Sequence, residues 1–236
     1  MKLSLSLAMG AILAAALLTG CSTTTCCSTS SDGSSKSGDA AHNHSAVATG
    51  AVDAEGFTPI FDGTWTNWRA GERPDSWTIV NGAFRANGDR SHIYYYGPLA
   101  PFKDFELKVD VKTEPGSNGG IYIHTKYQDE GWPWGGYEIQ VNNTHSDWRK
   151  TASVYAVQDV KEQFAKDNEW WTQHIVVKGN NIKVYINDKL VNDYTEEAGR
   201  QPGKDFERKL NSGTIALQAH DPKSVVLYKN IRIKKL

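Results

Sequence analysis

Glu138, His124 and His220 are the side chains of this sequence best suited to acid–base chemistry, and each lies in a short stretch that alternates apolar and polar residues. The stretches are Ile121-Tyr122-Ile123-His124, Tyr137-Glu138-Ile139-Gln140-Val141 and Ile215-Ala216-Leu217-Gln218-Ala219-His220. Successive side chains of a strand point to opposite faces. Ile121, Ile123, Ile139, Val141, Ile215, Leu217 and Ala219 therefore share one environment, and Tyr122, His124, Glu138, Gln140, Gln218 and His220 share the other. The first set builds a core. The second can line a cleft, where a carboxylate or imidazole moves a proton while amides and hydroxyls hold the hydroxyl groups of a sugar. A solvent-facing strand reads differently: Phe105-Glu106-Leu107-Lys108-Val109-Asp110-Val111-Lys112 alternates in the same way but places Glu, Lys and Asp outside.

The elements that position these residues are strands. Trp77-Thr78-Ile79-Val80 turns at Asn81-Gly82, His174-Ile175-Val176-Val177 at Gly179-Asn180, and Ile182-Lys183-Val184-Tyr185-Ile186 at Asn187-Asp188 into Lys189-Leu190-Val191. Asn-Gly and Asn-Asp pairs supply the positive φ of tight hairpins, and no stretch offers a long amphipathic helix. This pattern predicts one all-β antiparallel sandwich. Residues 158–166 read as a short helix or an ordered loop, and Lys229-Asn230-Ile231-Arg232-Ile233-Lys234-Lys235 as a last strand with a basic wet face. Of the eight tryptophans, Trp132 and Trp134 sit in the loop Gly131-Trp132-Pro133-Trp134-Gly135-Gly136 directly before the Glu138 strand, and Trp148 follows that strand. Indole faces stack on the C–H faces of pyranose rings, so this loop suits the mouth of a saccharide cleft. Trp65, Trp68, Trp77, Trp170 and Trp171 read as packing residues.

Residues 1–20 read as a leader: Lys2 precedes an apolar run from Leu3 to Leu18. Leu18-Thr19-Gly20-Cys21 resembles a bacterial lipoprotein signal, with Cys21 as the lipid anchor. The run is shorter than the roughly 20 apolar residues of a spanning helix. Ser22 rather than Asp follows the cysteine, which in such lipoproteins implies delivery to the outer membrane of the bacterial envelope. Residues 21–52 are mostly Ser, Thr, Gly, Ala and Asp and read as a flexible tether with a reach on the order of 30 Å. Cys26, Cys27, His42 and His44 in that tether read as solvated linker residues. The folded domain is expected over residues 53–236, which contain no cysteine. With 26 Lys and Arg against 27 Asp and Glu, the chain lacks the basic footprint of a nucleic-acid partner. Nothing in the sequence specifies an oligomeric state.

Six segments, in order, resemble the 3-keto-disaccharide hydrolase family. They are Gly56-Phe57-Thr58-Pro59-Ile60-Phe61-Asp62-Gly63 followed by Trp68, Asp104-Phe105-Glu106-Leu107, Ser117-Asn118-Gly119-Gly120-Ile121, Gly136-Tyr137-Glu138-Ile139-Gln140, Ala216-Leu217-Gln218-Ala219-His220 and Lys229-Asn230-Ile231-Arg232-Ile233. The resemblance spans essentially the whole folded domain. It implies a concanavalin-like jelly-roll sandwich and action on glycosides already oxidised to a ketone at C3. The chain departs from the family pattern at His124, where many members have Arg, at Thr151-Ala152-Ser153-Val154-Tyr155, where Thr-Gly-x-x-Tyr is usual, and at Glu169-Trp170-Trp171, where Glu-Trp-Asn is common.

A ketone at C3 acidifies the C2 hydrogen, so a base can remove it and the group at C1 leaves by elimination; water then adds, and the net outcome is hydrolysis. Such a reaction needs a base near C2 and an electrophile for the developing enolate oxygen. Glu138 and His124 are the candidate catalytic groups. A divalent metal of unspecified identity held by Glu138, His124 and His220 would supply the electrophile. Asn118, Lys126, Trp132, Trp134, Gln140, Tyr155 and Gln218 are the candidate contacts to a saccharide or 3-keto-glycoside. The convergence of these strands follows from the fold the resemblance implies, not from spacing. Classical retaining glycosidases pair two carboxylates; here Gln140 follows two residues after Glu138, which argues against ordinary glycoside hydrolysis. The alternatives are a non-catalytic carbohydrate-binding lipoprotein and a protein-interaction lipoprotein with incidental histidines.

Overall fold

The computed structural model describes residues 50–236. The leader of residues 1–20, the anchor Cys21 and the tether up to residue 49 lie outside the described residues. Among the described residues the strands are β1 (Thr58–Pro59), β2 (Trp68–Ala70), β3 (Trp77–Val80), β4 (Ala83–Ala86), β5 (Ser91–Tyr95), β6 (Phe105–Thr113), β7 (Gly119–Thr125), β8 (Tyr137–Val141), β9 (Trp171–Lys178), β10 (Asn181–Ile186), β11 (Lys189–Thr195), β12 (Thr214–Ala219) and β13 (Val226–Lys235). The one helical element among them is a single 3₁₀ turn, Pro74–Ser76. Residues 158–166 carry no helix. The hairpins form where turn chemistry allows them: Asn81 and Gly82 take φ values of 50° and 71° between β3 and β4, and Asn187 and Asp188 take 47° and 65° between β10 and β11.

Two antiparallel sheets stack face to face. The larger runs β11-β10-β9-β6-β13-β4-β3, with β1 also paired to β13, and the smaller runs β2-β5-β12-β7-β8. Leu107, Val109, Val111, Ile175 and Val177 from the larger sheet share one core with Ile121, Ile123, Ile139, Ile215 and Leu217 from the smaller. These apolar sets are the inward halves of the alternating strands, so burial of one face fixes the register of the other. The fold is an all-β jelly-roll sandwich.

The outer face of the smaller sheet carries polar residues in rows. Tyr94 lies opposite Ala216, Ala216 opposite Tyr122, and Tyr122 opposite Glu138. One step along, His92 lies opposite Gln218 and Gly120 opposite Gln140. Glu138 thus stands beside a position that carries no side chain, with an amide on either side of it.

Candidate active site

A cleft of about 270 Å³ opens over these rows, lined by Asn118, Tyr122, Trp132, Trp134, Glu138, Gln140, Tyr155, Phe206, Arg208, Gln218 and His220. Glu138 occupies its floor. Tyr122 donates its hydroxyl to Oε2 at 3.0 Å, and Gln218 Nε2 donates to Oε1 at 2.9 Å. Gln218 Nε2 also reaches the Tyr122 hydroxyl at 3.0 Å, which closes a triangle around the carboxylate. With its amide nitrogen turned toward Glu138, Gln140 donates to Oε1 at 3.2 Å and to the Gly119 carbonyl at 2.9 Å. Among the described residues no cation is hydrogen-bonded to the carboxylate. Burial raises the Glu138 pKa to about 7, outweighing the lowering by the Tyr122 and Gln218 hydrogen bonds and by the charge of Arg208. Tyr122 is itself held far above the ordinary phenol range, first by burial and then by the neighbouring carboxylate, so it stays a donor.

Gly120 makes room for this floor, and Gly119, on the core side of the same strand, makes room for Tyr228. A Cβ on Gly120 would meet Glu138 Oε1 at 2.5 Å, and one on Gly119 would meet the Tyr228 hydroxyl at 2.6 Å. Tyr155 reaches the cleft because the segment before it runs beside β8: Gln140 N donates to Ser153 O at 2.9 Å and Tyr155 N to Glu138 O at 3.0 Å. Ala152 in this segment has φ 76°, a left-handed backbone in which glycine is unstrained. The Tyr155 hydroxyl donates to Asp147 Oδ2 at 3.2 Å, and Arg149, paired with Asp147 and Asp159, lies over the Tyr155 ring.

His220 follows β12 at the rim. Its Nδ1 is 2.8 Å from Asp221 Oδ2, so the neutral tautomer that satisfies this bond carries hydrogen on Nδ1 and leaves Nε2 basic. Asp221 is held below the usual carboxylate range by His220 and Ser224 despite burial, which acts the other way and is the largest single influence. The Trp132 indole lies against the His220 ring with centroids 5.5 Å apart. The Trp132 loop is fastened from two sides: Gly131 N donates to Glu72, which pairs with Arg90, and Gln128 bonds Trp132 O and Trp134 N.

His124 does not enter the cleft. Its φ is 55°, and β7 carries an extra residue against β12, whose register shifts between Thr214 and Ala216. This bulge breaks the alternation after Ile123 and turns the imidazole inward. There Nε2 lies 2.8 Å from the Lys103 carbonyl, Nδ1 accepts from Asn211 N at 3.2 Å, and the ring stands edge-on to Phe105. Gly136 and Gly213 permit the turn, since a Cβ on either would collide with the backbone of residues 123–125. Burial lowers the His124 pKa, consistent with a neutral structural imidazole. Lys126, beyond the bulge, lies in a separate hollow with Tyr95, Tyr96 and Tyr127.

The ligand set Glu138, His124 and His220 is therefore not assembled. Among the described residues no group of three or more His, Cys, Asp or Glu side chains is placed to hold a metal ion. The cleft does unite Glu138, His220, Asn118, Trp132, Trp134, Gln140, Tyr155 and Gln218. It also contains Phe206 and Arg208, which come from a segment without periodicity and which no sequence pattern marks. Behind Trp132 and Tyr122 lies His92, 1% exposed, with neither ring nitrogen hydrogen-bonded. Its outward parity in β5 was a signal of that location, as Tyr94 shows the same parity.

Fold and cleft together define a jelly-roll sandwich that presents a half-buried carboxylate between aromatic walls on its smaller sheet. The chain belongs to the 3-keto-alpha-glucoside-1,2-lyase-like domain family, which it matches over residues 56–234. It is 28% identical to the 3-keto-disaccharide hydrolase of Bacteroides thetaiotaomicron across an alignment of 173 positions that covers 61% of this chain. The chain spans about 60% of the length of that curated relative. A protein of Parabacteroides distasonis solved as a candidate glycosyl hydrolase superposes with a TM-score of 0.65 at 23% identity, covering 78% of this chain and 95% of that one. The carbohydrate binding module CBM66 from Bacillus subtilis superposes with a TM-score of 0.53 at 17% identity over 74% of this chain and 99% of the module. Both superpositions establish a shared fold.

Proposed function

We propose that the chain cleaves 3-keto-glycosides, with Glu138 as the base that takes the C2 proton. The observation that carries this reading is a carboxylate on a cleft floor, held by uncharged donors from Tyr122, Gln218 and Gln140, with a pKa of about 7. A base of that pKa is half ionised near neutral pH and becomes a competent acid once protonated. Family membership, and the name of the Bacteroides relative, support the same substrate class.

In this scheme the proton passes from C2 to Glu138, and the C–H electron pair becomes the C2–C3 double bond of an enolate. The enolate collapses to the C3 ketone, a C1–C2 double bond forms, and the C1–O bond breaks toward the leaving group, which gains a proton. Water addition across C1 and C2 completes hydrolysis. Protonated Glu138 is then the acid that supplies the leaving-group proton, and His220, oriented by Asp221 with Nε2 unprotonated, is the rim group suited to take a proton from the water that adds. Trp132 and Trp134 supply the stacking surface. Gln218 Oε1 is buried without a partner and would accept from a sugar hydroxyl.

The test is Glu138→Gln, which keeps the shape and removes the base. Loss of a general base costs about 10²- to 10⁴-fold in rate. The variant should fold, bind a 3-keto-glucoside, turn it over that much more slowly and fail to exchange the C2 hydrogen with solvent deuterium. Near-parent turnover would remove Glu138 from the role; a parent protein that binds but never turns over the keto-sugar would favour a carbohydrate-binding module.

Lipidation at Cys21, with delivery to the outer membrane, completes the proposal and rests on Leu18-Thr19-Gly20-Cys21 and Ser22.

A further inference from the structure

Elimination through an enolate needs an electrophile at the C3 oxygen, and the cleft is lined by an arginine whose guanidinium has no protein acceptor among the described residues. Arg208 lines the same cleft as Glu138. Among the described residues its guanidinium has no hydrogen-bond acceptor and no ion-pair partner; its contact is the Phe206 ring, 5.3 Å from Cζ to the centroid. The neighbouring arginines are already committed, Arg90 to Glu72 and Arg149 to Asp147 and Asp159.

The backbone around Arg208 is fixed rather than loose. Arg200 Nε donates to Arg208 O at 2.6 Å, Leu210 N donates to Glu196 at 2.7 Å, Glu207 N donates to Trp134 O at 2.8 Å, and Gly136 N donates to the Glu207 carboxylate at 3.0 Å. Arg208 itself sits at φ 43°, left-handed backbone that a non-glycine residue adopts only where surrounding contacts impose it. These ties fasten the arginine segment to the tryptophan loop and to the start of β8, the strand that carries Glu138. A half-buried side chain with five donors is thus delivered to the cleft with no protein acceptor among the described residues.

We propose that Arg208 is the electrophile of the reaction, its guanidinium holding the C3 oxygen as that oxygen takes on negative charge; the inference rests on the elimination reading given above. Proton transfer moves one negative charge from the Glu138 carboxylate to the C3 oxygen and leaves Glu138 neutral, so net charge is conserved while its position shifts. A fixed cation with free donors gains most when the charge arrives at the oxygen it faces, which lowers the barrier rather than merely tightening binding. The field of Arg208 already reaches Glu138, where it lowers the carboxyl pKa. Lys126 is in another hollow and His220 is committed through Nδ1 to Asp221, which leaves this role to Arg208.

The experiment compares the parent with Arg208→Gln and Arg208→Lys on a 3-keto-glucoside whose leaving group is uncharged, reading turnover, C2 hydrogen–deuterium exchange and rescue by added guanidinium. By analogy with loss of an oxyanion donor, Arg208→Gln should lose about 10²- to 10³-fold in kcat and in exchange. KM should change little, Arg208→Lys should retain part of the rate, and guanidinium should restore part of the exchange to Arg208→Gln. Should Arg208→Gln misfold, the Lys variant with its exchange rate decides: exchange equal to the parent's in either folded variant overturns the proposal. A loss confined to KM, with kcat and exchange intact, also overturns it, because Arg208 is then only a binding contact. A parent that shows no C2 exchange brings down the elimination reading and this inference with it, whereas an active parent matched by Arg208→Gln brings down this inference alone.

Discussion

Oε1 of Glu138 occupies the space that a side chain on Gly120 would fill, with an added Cβ only 2.5 Å away. The glycine belongs to the neighbouring strand, where it lies opposite Gln140, and its bareness lets the carboxylate lie flat between the Gln218 and Gln140 amides. Gly120→Ala should push the carboxylate away from these donors while leaving the strand pairing intact. Misplacement of a reacting group by about 1 Å costs on the order of 10²-fold. The expected outcome is a folded protein with near-parent stability and about that loss in turnover of a 3-keto-glucoside; unaltered turnover would show that the carboxylate does not need this position.

The raised pKa of Glu138 has two consequences with different signs. As a base it acts when ionised, so kcat/KM should rise with pH through a single limb near 7. For stability the direction is opposite. A carboxyl whose folded pKa lies above its ordinary 4.5 favours the fold fully below 4.5 and loses that contribution as pH rises toward 7. Each unit of difference is about 1.4 kcal/mol, so Glu138→Gln should gain stability over the parent between these pH values, by a few kcal/mol at most. Urea midpoints at pH 4.5 and pH 8 read this directly, and a gap that does not widen with pH contradicts it.

The apolar half of the alternation was legible because burial tolerates no slip of register: Ile121, Ile123, Ile139, Val141, Ile215, Leu217 and Ala219 all lie in the core. The same periodicity carried Glu138, Gln140 and Gln218 to the cleft. It failed at His124 because one extra residue in β7 reverses everything after it, and the only traces of that bulge in the sequence are the glycines at 136 and 213 that make space for it. Lys126 fails for the same reason. Arg208 and Phe206 were hidden for another: residues 199–213 have no period, and their placement depends on long-range ties such as Gly136 to Glu207 and Leu210 to Glu196.

His124 therefore predicts a structural phenotype. Its two ring nitrogens join the Lys103 carbonyl to the Asn211 amide in the interior. His124→Ala leaves both backbone groups without their partner, at a cost of about 1 to 3 kcal/mol each where buried. Unfolding midpoints should fall while C2 exchange per folded molecule stays at the parent level. Lost exchange at unchanged stability would return this histidine to the chemistry.

For the leader, Cys21→Ala removes the proposed attachment point in Leu18-Thr19-Gly20-Cys21. The variant should accumulate as unprocessed precursor or as an exported product without lipid, seen by mass spectrometry and by partition between membrane and soluble fractions. An unaltered mass of the processed N-terminus together with unaltered membrane association would rule out lipidation at this residue.

His92 supplies the acid side of the pH dependence. Its ring stands edge-on to Tyr122 with centroids 5.2 Å apart at 88°, and against Trp132 at 5.5 Å, which seals both nitrogens from water. Burial depresses its pKa to about 3; the Glu72 carboxylate opposes this weakly, and Arg90 and His220 reinforce it. A histidine with a depressed folded pKa contributes fully above its ordinary 6.5 and withdraws stability as pH falls from 6.5 toward 3. His92→Phe preserves the aromatic shape, removes two unpartnered buried nitrogens and cannot titrate. At pH 7.5 it should match or slightly exceed the parent, and its advantage should grow by up to about 1.4 kcal/mol for each unit below 6.5. Glu138 gains stability over part of the same range, so the comparison is made in a Glu138→Gln background, where that opposing titration is absent. A difference between the two proteins that stays constant from pH 7.5 to pH 4.5 would mean that water reaches the imidazole and that Trp132 does not close over it.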